Sequence, residues 1–215
     1  MIAPMILHDY FRSSAAYRVR IALNLKGLQA GQRFVHLRRG EQRSADYLRV
    51  NAQGLVPTLE VGNQRLAQSL AIIEYLEEKH PDPPLLPPGP EDRAWVRGIA
   101  LAIACDIHPL NNLRVLKYLA DPLELDEARR DEWYHHWIRE GFDAIERQLA
   151  GRATGRFCFG DMPTMADACL VPQVANARRL EMSLDAWPRI RAIESACLAL
   201  PEFDRARPEN NPDAE

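Results

Sequence analysis

The chain has 215 residues, of which 47% are hydrophobic and 27% charged, with a formal net charge of −3. Those proportions describe a soluble globular protein with enough length to bury a proper core in one large domain or two small ones. The charge excludes nucleic-acid binding driven by bulk positive potential, and no apolar run approaches the length of a membrane span.

Residues 5–10, Met-Ile-Leu-His-Asp-Tyr, read as a short first strand. An amphipathic helix opens at Ser13-Ser14, carries Ala15, Val19, Ala22, Leu23 and Lys26 at helical spacing, and stops at Gly27. A second strand is predicted over 33–37 and a short helix over 45–50. Val56 to Val61 is a third strand, Gly62-Asn63 a tight turn, and Gln64 to Ala67 the returning fourth strand. Residues 69–79 form a helix with Leu70, Ile73 and Leu76 on one face. The run from His80 to Pro90 holds Pro81, Pro83, Pro84, Pro87, Pro88 and Pro90, so it cannot be helical and reads as a stiff linker. Beyond it, helical patterns cover 91–120, 126–150, 164–180 and 187–200, and Thr164-Met-Ala-Asp167 resembles a capping box. The polar, proline-bearing stretch 208–215 reads as disordered. The layout is a mixed α/β domain over 1–80, a linker over 81–90 and an all-helical domain over 91–215.

Cys105, Cys158, Cys169 and Cys197 form no CxxC pair and no metal spacing. Cys105, Cys169 and Cys197 lie in apolar helical stretches and are expected to be buried free thiols, which suits a reducing compartment. With no charged n-region or apolar h-region at the N-terminus, a cytoplasmic location is expected. His135-His136 lack the i, i+4 spacing of a metal pair, so no metal site is expected.

Several positions carry chemistry beside a plainer structural role. Ser13 and Ser14 are natural N-caps, and the helix start they open is also an anion site, because its first N–H groups lack intrahelical partners. Gln68-Ser69 repeats that arrangement at a second helix start. Val56-Pro57 is either a plain strand opening or a cis-proline that exposes the Val56 backbone to an extended peptide ligand. His108, Asn112 and Arg114 surround Pro109 within a helical stretch, either as a solvated kink or as a carboxylate site. Only Lys26, Lys79 and Lys117 among the 27 basic residues are lysine, so the chain is rich in the guanidinium groups that bind planar anions bidentately.

Four segments together resemble one family. They are Ser-Ser-x-x-Tyr-Arg-Val-Arg-Ile-Ala-Leu-Asn-Leu-Lys-Gly, Val-Pro-Thr-Leu, Gln-Ser-Leu-Ala-Ile-Ile-Glu-Tyr-Leu-Glu-Glu and Ala-Asp-Ala-Cys-Leu-Val-Pro-Gln-Val-Ala-Asn-Ala. The family is the zeta-class glutathione transferases, which includes maleylacetoacetate isomerases and bacterial glutathione-dependent maleylpyruvate isomerases. The resemblance runs from about residue 5 to about residue 200. It implies a thioredoxin-like N-terminal domain, a helical glutathione-transferase C-terminal domain, glutathione as cofactor, a small dicarboxylate substrate and a homodimer.

The resemblance also implies residue roles. Ser13, with Ser14 and Arg18, would be the catalytic signature, Ser13 hydrogen-bonding the glutathione thiolate. Gln42, Val56, Pro57, Gln68 and Ser69 would hold the glutathione backbone. His108 and Asn112, with Arg114, would close the site from the helical domain. Arg12, Ala15, Arg114 and Arg178 would face the substrate. The signature usually carries Cys or Thr where this chain has Ala15. The attacking thiol is glutathione's own, so activity is expected to persist. The implied reaction is cis-to-trans isomerisation of a maleyl keto-diacid in aromatic or tyrosine catabolism. The alternatives are conjugation of small electrophiles such as α-haloacids, or a non-catalytic glutathione-binding protein.

Overall fold

A computed structural model describes residues 4–152 and 155–215. The chain divides into two compact units, one comprising residues up to Leu85 together with Leu198–Glu215, the other Leu86–Cys197.

The first unit is built on a four-stranded sheet ordered β2-β1-β3-β4. Strand β1 (Met5–Asp9) pairs in parallel with β2 (Gly31–Phe34), from Ile6 opposite Gly31 to Asp9 opposite Phe34. On its other side β1 pairs antiparallel with β3 (Thr58–Val61), which turns at Gly62 into β4 (Gln64–Ala67). Gly62 sits at φ +56°, a conformation glycine adopts without a Cβ penalty.

Helix α1 (Ser14–Leu25) ends in a Schellman-type turn. Gly27 is at φ +62°, and the Leu28 N–H donates to the Leu23 carbonyl over 2.9 Å. Helices α2 (Ala45–Val50) and α3 (Ser69–Lys79) lie where their patterns put them. Ile72, Ile73 and Leu76 give α3 its buried face. Lys26 is buried against the far end of α3. Its ammonium donates to Glu77 (2.7 Å), the His80 carbonyl (2.7 Å) and the Pro83 carbonyl (2.9 Å), which satisfies all three donors.

The second unit is helical: α4 (Pro90–Leu101), α5 (Leu113–Ala120), α6 (Glu127–Ala150), α7 (Met165–Arg179) and α8 (Pro188–Leu198). Ile99, Ile103, Phe142, Ile145, Val174 and Ile190 lie in its core with no exposed surface. At the start of α7, Asp167 completes the capping box. Its carboxylate accepts the Thr164 N–H (2.7 Å), the Thr164 hydroxyl (2.8 Å) and the Cys158 N–H (2.8 Å).

Four expectations are corrected. The second strand lies at 31–34, two residues earlier than predicted, because β1 sets its register and the chain turns away after Val35 donates to the Asp9 carbonyl. The helix expected over 91–120 is broken into α4, a π-helical segment at Ala102–Ile107, a 3-10 turn at His108–Asn111 and α5. Pro109 lacks an N–H and its ring crowds the preceding turn, which favours a break in regular α-helix there. Cys105 is exposed, because Ile103 and Ile107 take the buried side and residue 105 falls opposite them. The stretch 208–215 is not disordered. After a short helix α9 (Pro201–Asp204) it packs along the first unit, with Asn211 buried and hydrogen-bonded to Asp9 and Gln32.

Candidate functional site

In the first unit, Ser13 stands at the N-cap of α1 with extended backbone, and its Oγ accepts the Ala16 N–H over 3.2 Å. That bond uses a lone pair, so the hydroxyl proton remains available to an anion. The Ser13 carbonyl takes the Tyr17 N–H. The Ala15 N–H has no partner among the described residues, and the first turn of α1 contains no acidic residue. The uncompensated partial positive charge of the helix start is therefore presented at Ser13 to Ala15. Ser14 is the first helical residue and is buried.

Arg18 is 2% exposed and belongs to the interior. One guanidinium nitrogen donates to Ser69 Oγ over 3.2 Å, which ties α1 to the first residue of α3. That contact links the two helix starts.

At the second helix start, Gln68 caps α3 without a side-chain hydrogen bond, and the first turn again has no acid. Gln68 has φ 73° and ψ 117°, a sparsely populated region for a residue with a Cβ, and such strain concentrates at ligand sites. Its side-chain amide donates to Gln53 Oε1 over 3.0 Å.

The Val56–Pro57 peptide is cis, as the exposed-backbone reading required. Val56 packs in one apolar cluster with Tyr10 and Phe11, which brings it beside the turn leading to Ser13. It precedes β3, and neither its N–H nor its carbonyl has a partner among the described residues. Gln42 Oε1 is buried without a partner too. Gly54, at φ +60°, lies so close to Gln42 that a Cβ there would meet the Gln42 carbonyl at 2.8 Å. A buried unpaired donor or acceptor costs free energy unless something satisfies it. These groups together suit an extended peptide with a carboxylate at its end. Glutathione meets that description.

Arg12 is exposed, with its guanidinium 5.2 Å from the Phe11 ring centroid and no ion pair among the described residues. Tyr10 is a residue that pattern reading missed. Its hydroxyl is buried without a partner, and burial raises its pKa above the ordinary tyrosine value against the opposing pull of Arg38 and Arg12. Gln53 was missed as well. Its signal was Gly54, whose φ > 0 turn follows it directly.

In the second unit, His108, Asn112 and Arg114 come together where the helix breaks. The Asn112 side-chain amide lies 3.3 Å from His108 Nε2, and Asn112 Oδ1 caps α5 by accepting the Arg114 N–H over 3.1 Å. The Arg114 guanidinium is exposed and has no ion pair among the described residues. Arg178 is placed differently. It forms a two-point ion pair with Glu194, 2.7 Å through Nε and 2.5 Å through a terminal nitrogen, and that hydrogen bonding raises its pKa further.

Comparison with known proteins shows the family. The family described as Glutathione S-transferase, N-terminal domain, matches residues 12–79, and Glutathione S-transferase, C-terminal domain, matches residues 126–193. The chain is 48% identical over 212 residues to a probable maleylacetoacetate isomerase of Vibrio cholerae, covering 98% of each. It is 47% identical over 211 residues to a maleylpyruvate isomerase of Ralstonia sp, covering 98% of this chain and 100% of that one. Among solved structures it is similar to a holo maleyl pyruvate isomerase described as a bacterial glutathione S-transferase of the zeta class. The TM-score is 0.96 at 46% identity, covering 98% of this chain and 100% of the other. A maleylacetoacetate isomerase from Methylobacterium extorquens AM1, solved with bound malonate and GSH, gives a TM-score of 0.95 at 40% identity, covering 98% and 99%.

Proposed function

The chain belongs to the glutathione S-transferase family, in the zeta class with the maleylacetoacetate and maleylpyruvate isomerases, and from that membership we propose that it isomerises a maleyl keto-diacid to its fumaryl form with glutathione as cofactor. The observation that carries this reading is the set of unsatisfied groups in the first unit. The Val56 backbone, Gln42 Oε1 and an acid-free helix start at Ser13 are what a bound glutathione would complete.

When bound, glutathione supplies a thiolate nucleophile that adds reversibly to the conjugated double bond, so that the bond can rotate before the thiol is released. The chain's own residues bind, orient and hold charge. Ser13 donates its hydroxyl proton to the sulfur while its oxygen still caps α1, and the helix start favours the ionised form. Gln68 and Ser69 take a carboxylate at the start of α3, and Arg18 keeps that start fixed relative to α1. Val56 offers one donor and one acceptor to a peptide strand, and Gln42 accepts from it. We assign Arg12 and Arg114, neither of which has an ion pair among the described residues, to substrate carboxylates and to the negative charge that develops on the keto-acid. His108 and Asn112 orient the Arg114 turn. Arg178 has to exchange Glu194 for substrate in order to join them. Ala15 contributes its N–H.

The test is product analysis with maleylpyruvate and maleylacetoacetate. Isomerisation forms the fumaryl product with the glutathione concentration unchanged. Steady consumption of glutathione with a haloacid, and no turnover of either maleyl diacid, would replace the isomerase by a conjugating transferase. Placement in aromatic catabolism, in the cytoplasm and in a homodimer belongs to the same proposal. Sedimentation of the purified protein decides the last point. No helix among the described residues is long and apolar enough to cross a membrane.

A further inference from the structure

The Tyr10 to Ser13 turn leads directly into the proposed thiolate site, and it is held by hydrogen bonds from far along the chain. The Ser13 N–H donates to the Tyr10 carbonyl over 2.8 Å and closes the turn. The Tyr10 N–H donates to Asp9 Oδ1 (2.7 Å), and the Phe11 carbonyl accepts from the Arg20 guanidinium (3.1 Å). The Phe11 N–H donates to Asp213 Oδ2 over 3.1 Å, a partner 202 residues away.

The other anchors of this turn are tied to the same segment. Arg20 spans Asp9 (2.7 Å) and the Ala206 carbonyl (2.9 Å). Asp9 is fully buried, and its second oxygen accepts from Gln32 (3.1 Å) and Asn211 (3.2 Å). The Asn211 amide also donates to Asp213 Oδ1 at 2.6 Å, which fixes the carboxylate that holds Phe11.

We propose that the C-terminal segment 206–215 is a positioning strap for the Ser13 turn, with Asp213 as its contact. A hydroxyl that must meet a thiolate at hydrogen-bond distance gains from a turn anchored at Tyr10, Phe11 and Ser13, because small misplacements cost rate disproportionately. This inference rests on the functional reading only for the identity of the ligand.

The experiment compares Asp213→Ala and Asp213→Asn in the full chain. Readouts are amide hydrogen exchange at Phe11, the pH midpoint of the ultraviolet thiolate band of bound glutathione, and separate kcat and KM values. In Asp213→Ala, Phe11 exchange rises about tenfold as one hydrogen bond is lost, the thiolate midpoint moves upward, and kcat falls roughly tenfold with KM for the diacid nearly constant. Asp213→Asn keeps a carbonyl acceptor and restores most of each. Asp213→Ser is too short to reach Phe11 and carries the same expectation as Ala, so a poorly folding Ala variant still leaves a decision. Unchanged Phe11 exchange and thiolate midpoint in both short variants overturns the strap. So does an Asn variant as impaired as Ala. If the wild type shows no thiolate band with glutathione, the functional reading fails, and Phe11 exchange alone then decides the strap.

Discussion

At the start of α7, the Asp167 carboxylate collects the Thr164 N–H, the Thr164 hydroxyl and the Cys158 N–H. At the starts of α1 and α3 there is no acidic residue in the first turn, Ser13 supplies one modest acceptor, and Gln68 supplies none. All three are helix N-termini with the same four orphan donors and the same dipole. The chain puts its own carboxylate at one, and the proposed function assigns the other two to a thiolate and a carboxylate brought from outside. Stability and binding here are alternative uses of one local structure.

The largest test of that contrast is Asp167→Ala. It leaves several buried donors unpaired and should lower the stability of the helical unit by about 4 kcal/mol in chemical denaturation. Turnover per folded molecule should stay at the wild-type level. A matching loss of glutathione affinity would mean that the closed helix start also serves the site.

Ser13→Ala sharpens the other side. Loss of the cap should cost only about 1 kcal/mol of stability, while kcat falls about a hundredfold, as for other removed charge-stabilising donors. A kcat within a factor of two of wild type would show that the helix start alone holds the thiolate.

Gln68→Gly separates strain from binding in one residue. Glycine relieves the φ 73° backbone, so stability should rise by about 1 kcal/mol. KM for glutathione should rise about fivefold as one side-chain hydrogen bond is lost. A drop in melting temperature would show that the Gln68 backbone is not strained.

The smallest effect concerns pH and lies away from all three helix starts. The hydrogen bond to His8 holds the Glu60 carboxyl below its usual range. A carboxyl with a depressed pKa in the folded state adds stability above its unfolded pKa of about 4.3, and that stability is lost as pH falls through the folded value. Glu60→Gln should therefore flatten the acid side of a melting-temperature profile and leave its neutral region nearly unchanged.

Local chemistry was readable from the chain where one residue type does one job. Gly27 stops α1, Gly62 turns the β3–β4 hairpin, and Thr164 with Asp167 opens α7 as a capping box. Ser13, Val56 and Gln68 were legible because helix starts and a pre-strand proline leave unpaired backbone groups wherever they occur. What escaped depended on distance along the chain. Nothing near Asp213 announces a bond to Phe11, and its polar, proline-bearing setting reads as disorder until Asp9 and Arg20 are seen waiting for partners. Arg178 likewise looks available until Glu194, sixteen residues on, is found holding it. The break around Pro109 was foreseeable in kind. Its spread into a π-helical segment depends on tertiary packing of Ile103 and Ile107.

Three of the four cysteines, Cys158, Cys169 and Cys197, are buried, and burial raises the pKa of Cys158 and Cys197 above the ordinary thiol value. Thiol–disulfide exchange needs both access and thiolate. A protein that works with a borrowed thiol has thus withdrawn nearly all of its own sulfur from that chemistry. A maleimide dye added to the native protein would mark a single position, Cys105, and report on the helical unit without touching the Ser13 turn.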